Sequence, residues 1–268
     1  MPRQKISITV DSALLREVDG IIDNVTVRNR SQAIEHLVRA SLGESKTAVL
    51  LSGGPVEKIR IGEAYRATAL VSGKPVCVHA VEKLRSEGFS KIIVVARGPV
   101  LTAMFSILKD GRDLGVSVVY VEERNCHGTA DSLRLVRGQV KGAFLVVYGD
   151  LMFSNVHINE LWKEHMRDRK EATLLLTTSL APSTKGTAKI EGSTILEFMQ
   201  KPRQSQQYIV FSPIFACEDS MLSVPGSSLE KDVFPTLAGQ RLLKGYLSSE
   251  KECHVHTADD AAGYAKKA

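Results

Sequence analysis

Five short runs constrain this chain more than any other feature: "TAVLLSGG", "KIIVVAR", "VSVVYVEE", "GAFLVVYGD" and "ATLLLTTSL". Each is almost continuously apolar, and helically patterned stretches such as "KPVCVHAVEKLRSEG" separate most of them. A strand that is apolar on both sides must be buried on both faces. A mainly parallel sheet with helices packed over each face does this, so residues 46–268 are predicted to form an α/β domain of that kind. Binding sites in such sheets lie at the carboxyl ends of the strands. Three motifs fall at such ends: "LSGGPVEK", "VEERNCHGTADSL" and "VVYGDLMF".

Residues 1–45 follow a different pattern. "QKISITV" alternates, with Ile6, Ile8 and Val10 on one face and Lys5, Ser7 and Thr9 on the other, which predicts a strand with one buried face. Asp11 is placed to cap a helix whose stripe is Leu14, Leu15, Val18, Ile21 and Ile22. Ser31 is placed to cap a second, with Ala33, Ile34, Leu37, Val38 and Leu42 as its apolar positions and Gly43 as its stop. "GESK" (43–46) is the expected hinge. A strand and two helices make too little core to stand alone, and a lone strand has no partner. A second copy supplies both, giving a two-stranded ribbon over four helices. The expectation is a homodimer or a dimer of dimers.

From "KISITV" to "RSQAIEHLV" this stretch resembles the ribbon-helix-helix DNA-binding family. The resemblance implies that the ribbon enters the major groove. Arg3, Lys5, Ser7 and Thr9 would then meet bases, and Arg30 and Ser31, at a helix start, would meet phosphate. Two plainer readings stand beside it: a solvated strand face with an ordinary cap, or a module that only dimerises. The net charge of +5 permits nucleic-acid binding without requiring it.

Composition narrows the rest. The chain has 268 residues, 43% hydrophobic and 24% charged, and lacks an apolar run long enough to span a bilayer. Its N-terminus does not read as a secretory signal. Cys77, Cys126, Cys217 and Cys253 form no CxxC pair, so neither a zinc site nor a disulfide framework is expected. A cytoplasmic setting follows.

Gly53-Gly54 after a strand can cradle phosphate or simply turn the chain. Asp150, closing an apolar strand, needs water, a partner or a metal, unless it is a helix cap. "HGTADSL" opens a helix with small residues that let a flat ligand approach. Together with "SGKPVCVHAVEKL", "ILEFMQKP", "FSPIFAC", "SLEKDVFPTLA" and "HTADDAAGYAKK", in that order, these motifs resemble the sugar-nucleotide pyrophosphorylase family over residues 47–268.

That resemblance implies a Rossmann-like fold of the nucleotide-diphospho-sugar transferase type. It also implies transfer of a nucleotidyl group from an NTP to a sugar 1-phosphate, with Mg2+ or Mn2+. Carried over by position, Lys58, Arg66, Asp150 and Lys201 are catalytic. Ser52, Gly53, Gly54, Glu123, Gly128 and Thr129 bind the nucleotide, and Gly186 and Gln200 the sugar. Asp150 and His254 hold the metal. Glu123, an acceptor only, suits guanine's N1–H and amino group or cytosine's amino group.

The chain departs from the family pattern. Gly54-Pro55-Val56-Glu57-Lys58 stands where the family continues Gly-any-Gly-Thr-Arg, and Tyr65-Arg66 where it has Pro-Lys. Gln200-Lys201-Pro202 replaces Glu-Lys-Pro, and His254 replaces the second metal aspartate. Lysine is not equivalent to arginine in a phosphate loop, and a neutral imidazole suits Mn2+ better than Mg2+. Two classes of function therefore remain: a nucleotidyltransferase with a DNA-binding or dimerising front, and a transcription regulator whose degenerate transferase domain senses a nucleotide or sugar nucleotide.

Overall fold

A computed structural model describes residues 6–22, 27–41 and 46–265. The chain divides into two compact units, Met1–Ser45 and Lys46–Ala268.

In the first unit, helix α1 (Ser12–Gly20) is capped by Asp11, whose Oδ1 accepts from the Ala13 N–H at 2.7 Å. Helix α2 (Arg30–Ser41) begins one residue before the expected cap. Asn29 holds its start instead, accepting from the Gln32 N–H at 3.0 Å through Oδ1 and from the Ala33 N–H at 2.9 Å through its carbonyl. Ser31 is thus an exposed first-turn residue. The Arg30 guanidinium is taken by Asp19 in two hydrogen bonds of 2.7 Å, so it ties α2 to α1 rather than standing free for phosphate. Val18, Val27 and Ala33 are buried, with Ile22 and Ile34 packed on them. Residues 6–10, expected as a strand, form none, and Ser7 and Thr9 are exposed. Arg3, Lys5, Leu42, Gly43 and most of the expected hinge lie outside the described residues.

The second unit starts with β1 (Lys46–Leu51), α3 (Val76–Ser86), β2 (Phe89–Ala96), α4 (Gly98–Leu108), β3 (Ser117–Glu122), α5 (Thr129–Arg134) and β4 (Phe144–Tyr148). It continues through β5 (Leu151–Met152), α6 (Ile158–Asp168), β6 (Ala172–Thr178), β7 (Gly186–Glu191), β8 (Thr194–Gln200) and β9 (Ile209–Cys217). It ends with α7 (Phe234–Gly239), β10 (Leu243–Leu247), β11 (Cys253–His254) and α8 (Ala258–Ala265). Among the described residues, nine strands form one sheet in the order β6-β10-β8-β7-β9-β4-β1-β2-β3.

Strands β3, β2, β1 and β4 are parallel, with Val49 of β1 opposite Ile93 on β2 and Val146 on β4. The chain builds outward from β1 to β3 and returns to the other side as β4. That reversal opens a crevice at the carboxyl ends of β1 and β4. Beyond β4 the expected parallel pattern gives way: β9 runs antiparallel to β4, and β7 and β8 form a hairpin. Only Gly192 and Ser193 link β7 to β8, far too few residues for a parallel crossover.

Both faces of the sheet are covered. Ala48 and Leu50 of β1 point to a core shared with Leu84 of α3, Met104 of α4 and Trp162 of α6. Val49 and Leu51 point to a second core with Leu133 of α5 and Phe234 and Leu237 of α7. A smaller core secures the C-terminal segment: Val255 is fully buried with Val71, Val76, Met152 and Ala261. β11 pairs antiparallel with β5, and the Val255 N–H donates to the Asp150 carbonyl at 2.8 Å. The C-terminal segment is thereby fixed beside the end of β4.

Candidate active site

Gly149 and Asp150 follow β4 as it passes the end of β1. The Gly149 N–H donates to the Leu51 carbonyl at 2.9 Å. A Cβ on Gly149 would lie 1.9 Å from Ser52 Oγ, so this crossing needs glycine. It delivers Asp150 to a cavity of about 200 Å³ lined by Ser52, Gly53, Tyr65, Arg66 and Tyr148 among others. The Asp150 side chain is only 19% exposed. Its Oδ2 accepts from His256 Nε2 at 3.1 Å and from Arg66 Nη1 at 3.5 Å, and its Oδ1 lies 4.0 Å from His254 Nδ1. Burial works to raise its pKa, but the His256 hydrogen bond and the charges of His254, His256 and Arg66 outweigh burial. The carboxyl is held below its ordinary range.

Asp150, His254 and His256 each offer one donor atom, all within 4.8 Å of one another. His254 Nδ1 is buried and has no hydrogen-bond partner, as expected of a nitrogen whose lone pair is reserved for a cation. These residues fit a divalent ion.

A second cavity of about 230 Å³ adjoins the first, sharing Leu51, Gly53 and Tyr148, and is also lined by Gly54, Arg97, Glu123, Gly128 and Thr129. Glu123 is buried here, not solvated. Its Oε2 accepts from the Gly54 N–H at 3.0 Å, its Oε1 from Ser132 Oγ at 2.6 Å, and Arg97 Nε lies 3.7 Å away. A Cβ on Gly53 would sit 2.4 Å from the same carboxylate, and Gly54 has φ +118°. The glycine pair therefore lets the loop close over Glu123. At Gly128 the space freed by the missing side chain is taken by the Ser227 carbonyl, 2.4 Å from where a Cβ would be. Thr129 Oγ1 donates to Glu230 at 2.7 Å, and the Tyr148 hydroxyl donates to the other oxygen of the same carboxylate. The small residues of "HGTADSL" thus admit a neighbouring segment of the chain where a flat ligand was expected.

The structure brings Ser52, Gly53, Arg66 and Asp150 to the first cavity and Gly54, Glu123, Gly128 and Thr129 to the second. His254 stands beside Asp150. Lys58 and Lys201 are exposed and line neither cavity. Gly186 and Gln200 face each other across the β7–β8 hairpin, also outside both cavities. Sequence reasoning missed Arg97, His256 and Glu252. Arg97 ends the run "KIIVVAR" at a strand's carboxyl end, and His256 lies two residues from His254 in an extended stretch, so both were open to detection. Glu252, whose Oε1 lies 3.6 Å from His254 Nε2, had no comparable signal.

Solved structures share this fold. A Bacillus anthracis protein assigned as a glucose-1-phosphate thymidylyltransferase, solved with sucrose, superposes with TM-score 0.73 at 20% identity, covering 83% of this chain and 96% of that one. HddC from Yersinia pseudotuberculosis gives TM-score 0.68 at 17% identity, covering 83% and 99%. Residues 47–261 match the nucleotidyl transferase family, and the chain belongs to it. A rice (Oryza sativa subsp. japonica) protein assigned as mannose-1-phosphate guanylyltransferase 3 is 30% identical over 208 residues, 73% of this chain and 57% of that protein. The catalytic subunit beta of the Drosophila melanogaster mannose-1-phosphate guanylyltransferase is 25% identical over 212 residues, 76% of this chain and 57% of that subunit. The chain thus spans little more than half the length of these curated relatives.

Proposed function

We propose that residues 46–268 transfer a guanylyl group from GTP to a hexose 1-phosphate of the mannose class, releasing pyrophosphate. The observation that carries this reading is Asp150, a buried carboxylate kept ionised at the sheet's switch point, in the first of two adjoining cavities that share Gly53 of the glycine loop. The second cavity takes the nucleoside. Glu123 lines that cavity with its oxygens already accepting from the Gly54 N–H and Ser132 Oγ, so it shapes the loop beside the base, and the choice of guanine follows the names of the relatives. Arg97 and Arg66 place positive charge at the two cavities, against the phosphates. A divalent cation on Asp150, His254 and His256 would neutralise charge on the α-phosphate. Lys58 and Lys201, which line neither cavity, would have to turn inward to meet pyrophosphate and sugar phosphate once the substrates are bound.

Residues 1–45 are proposed to form a ribbon-helix-helix dimer that binds DNA. Ile6 (75% exposed), Ile8 (55%) and Leu14 (52%) favour this, since a second copy would cover them. The proposed setting is the cytoplasm, where the four cysteines, none in a disulfide among the described residues, stay reduced. Among the described residues, no helix is long and apolar enough to cross a membrane.

The test incubates the full chain with each NTP, a panel of sugar 1-phosphates and Mg2+ or Mn2+, and reads pyrophosphate. GTP with mannose 1-phosphate is expected to give the fastest release. Asp150→Asn is expected to lower it by about two orders of magnitude or more, because cation-borne charge stabilisation supplies several kcal/mol. Tight GTP binding with no pyrophosphate from any pair would defeat the enzyme reading. It would favour a nucleotide sensor, the reading to which the outlying positions of Lys58 and Lys201 lend weight.

A further inference from the structure

His254 and His256 lie two residues apart in an extended segment, so their rings leave it on the same side. The ring centroids are 5.0 Å apart. Between them Val255 is fully buried, and its N–H is bonded to the Asp150 carbonyl. Val255 thereby fixes the stretch of backbone from which both rings leave. Behind His254, the Glu252 side chain is wholly buried, with its Oε1 3.6 Å from His254 Nε2 and accepting from Lys185 Nζ at 2.8 Å. A carboxylate behind an imidazole holds the proton on the nitrogen facing it and leaves the other nitrogen's lone pair free. That other nitrogen, Nδ1, is the buried, unpartnered atom facing Asp150.

We propose that Asp150, His254 and His256 form a two-imidazole, one-carboxylate site that binds a divalent first-row transition ion of the Mn2+, Fe2+, Co2+ or Zn2+ class in preference to Mg2+, with Glu252 as the residue that positions His254. Mg2+ takes oxygen ligands almost exclusively, whereas imidazole suits the transition ions. The three donors, within 4.8 Å of one another, come to metal–ligand distances of about 2.0–2.2 Å by a small inward turn of the rings. The ion's catalytic use rests on the nucleotidyl-transfer reading, but its occupancy does not, so the two fail separately.

The test uses the full chain without nucleotide. Mn2+ binding is followed by electron paramagnetic resonance with Mg2+ as competitor, and pulsed measurements look for 14N bonded directly to the ion. Wild type is expected to hold Mn2+ at least about tenfold more tightly than Mg2+ and to show nitrogen coupling. His256 is half exposed, so His256→Ala spares the core. That variant should weaken Mn2+ binding about tenfold or more and reduce the nitrogen signal. His254→Asp should shift preference back toward Mg2+, a gain that misfolding cannot imitate. Mn2+ bound without nitrogen coupling, or displaced by an equal concentration of Mg2+, would overturn the proposal. Nitrogen-bound Mn2+ in a protein that releases no pyrophosphate would uphold this site while defeating the transfer reading.

Discussion

At Gly149 one hydrogen atom decides whether the site assembles. A methyl group there would meet Ser52 Oγ at 1.9 Å and Ser52 Cβ at 2.9 Å, and neither β1 nor β4 can retreat from the centre of the sheet. Gly149→Ala is expected to cost about 1–3 kcal/mol as overpacking. Adding Ser52→Gly removes both clashing atoms and should restore part of the loss. Urea denaturation of the two variants checks this, and equal instability would show that the clash is not the cause. Sequence alone marks Asp150, because a carboxylate closing an apolar strand is conspicuous in one dimension. It does not reveal why glycine precedes it, since Ser52 lies at the end of another strand. Glu123 shows the same limit. Read as a base-contacting group, it also clamps the loop at Gly54, 69 residues away in the chain.

Helix α6 shows what an element adds to its residues. Ile158, Leu161, Trp162 and His165 recur at helical spacing and are its buried side chains, so a titratable ring is built into a core stripe. His165 Nδ1 is 3.0 Å from Thr173 Oγ1, and Nε2 is 3.4 Å from Glu218 Oε1. Burial lowers its pKa below 6.5, Glu218 opposes the shift, and the charges of Arg169 and Lys244 add to it. The folded protein therefore keeps this ring neutral where the unfolded chain would protonate it. Its contribution to stability is complete above about pH 6.5 and declines as pH falls from there toward the folded value, by at most about 1.4 kcal/mol per pH unit. Denaturation midpoints between about pH 7.5 and pH 5 should fall less steeply in His165→Gln than in wild type; parallel slopes would refute this. Legibility also varied by element. β1, β2, β4 and β6 were visible as apolar runs because both their faces are buried, and β3, an edge strand with only Val118 buried, was visible from its valines. β8, with only Ile195 and Phe198 buried, carried no such run, and its hairpin with β7 went unread.

For the whole molecule, the question is what the front unit contributes to a domain that has its own core. Val18, Val27 and Ala33, with Ile22 and Ile34, are a small core beside the exposed Ile6, Ile8, Leu14, Leu37 and Val38. Fully burying one large aliphatic side chain is worth about 1.5–3 kcal/mol, and these five are 41–75% exposed, so covering them would add several kcal/mol to a small interior. A second copy presents the same set by symmetry, and pairing the two 6–10 segments would satisfy backbone groups that have no ladder in the single chain. Ile8→Glu in the full chain is therefore expected to shift sedimentation from dimer to monomer. The monomer should lose duplex DNA binding, because each half-site alone makes too few phosphate contacts, while pyrophosphate release stays at the wild-type rate. Thr9→Ala should keep the dimer and change sequence preference only. If Ile8→Glu sediments like wild type, the front unit is not what pairs the chains. If it dissociates and release falls with it, the second copy matters to the chemistry, and the two units are not functionally separate.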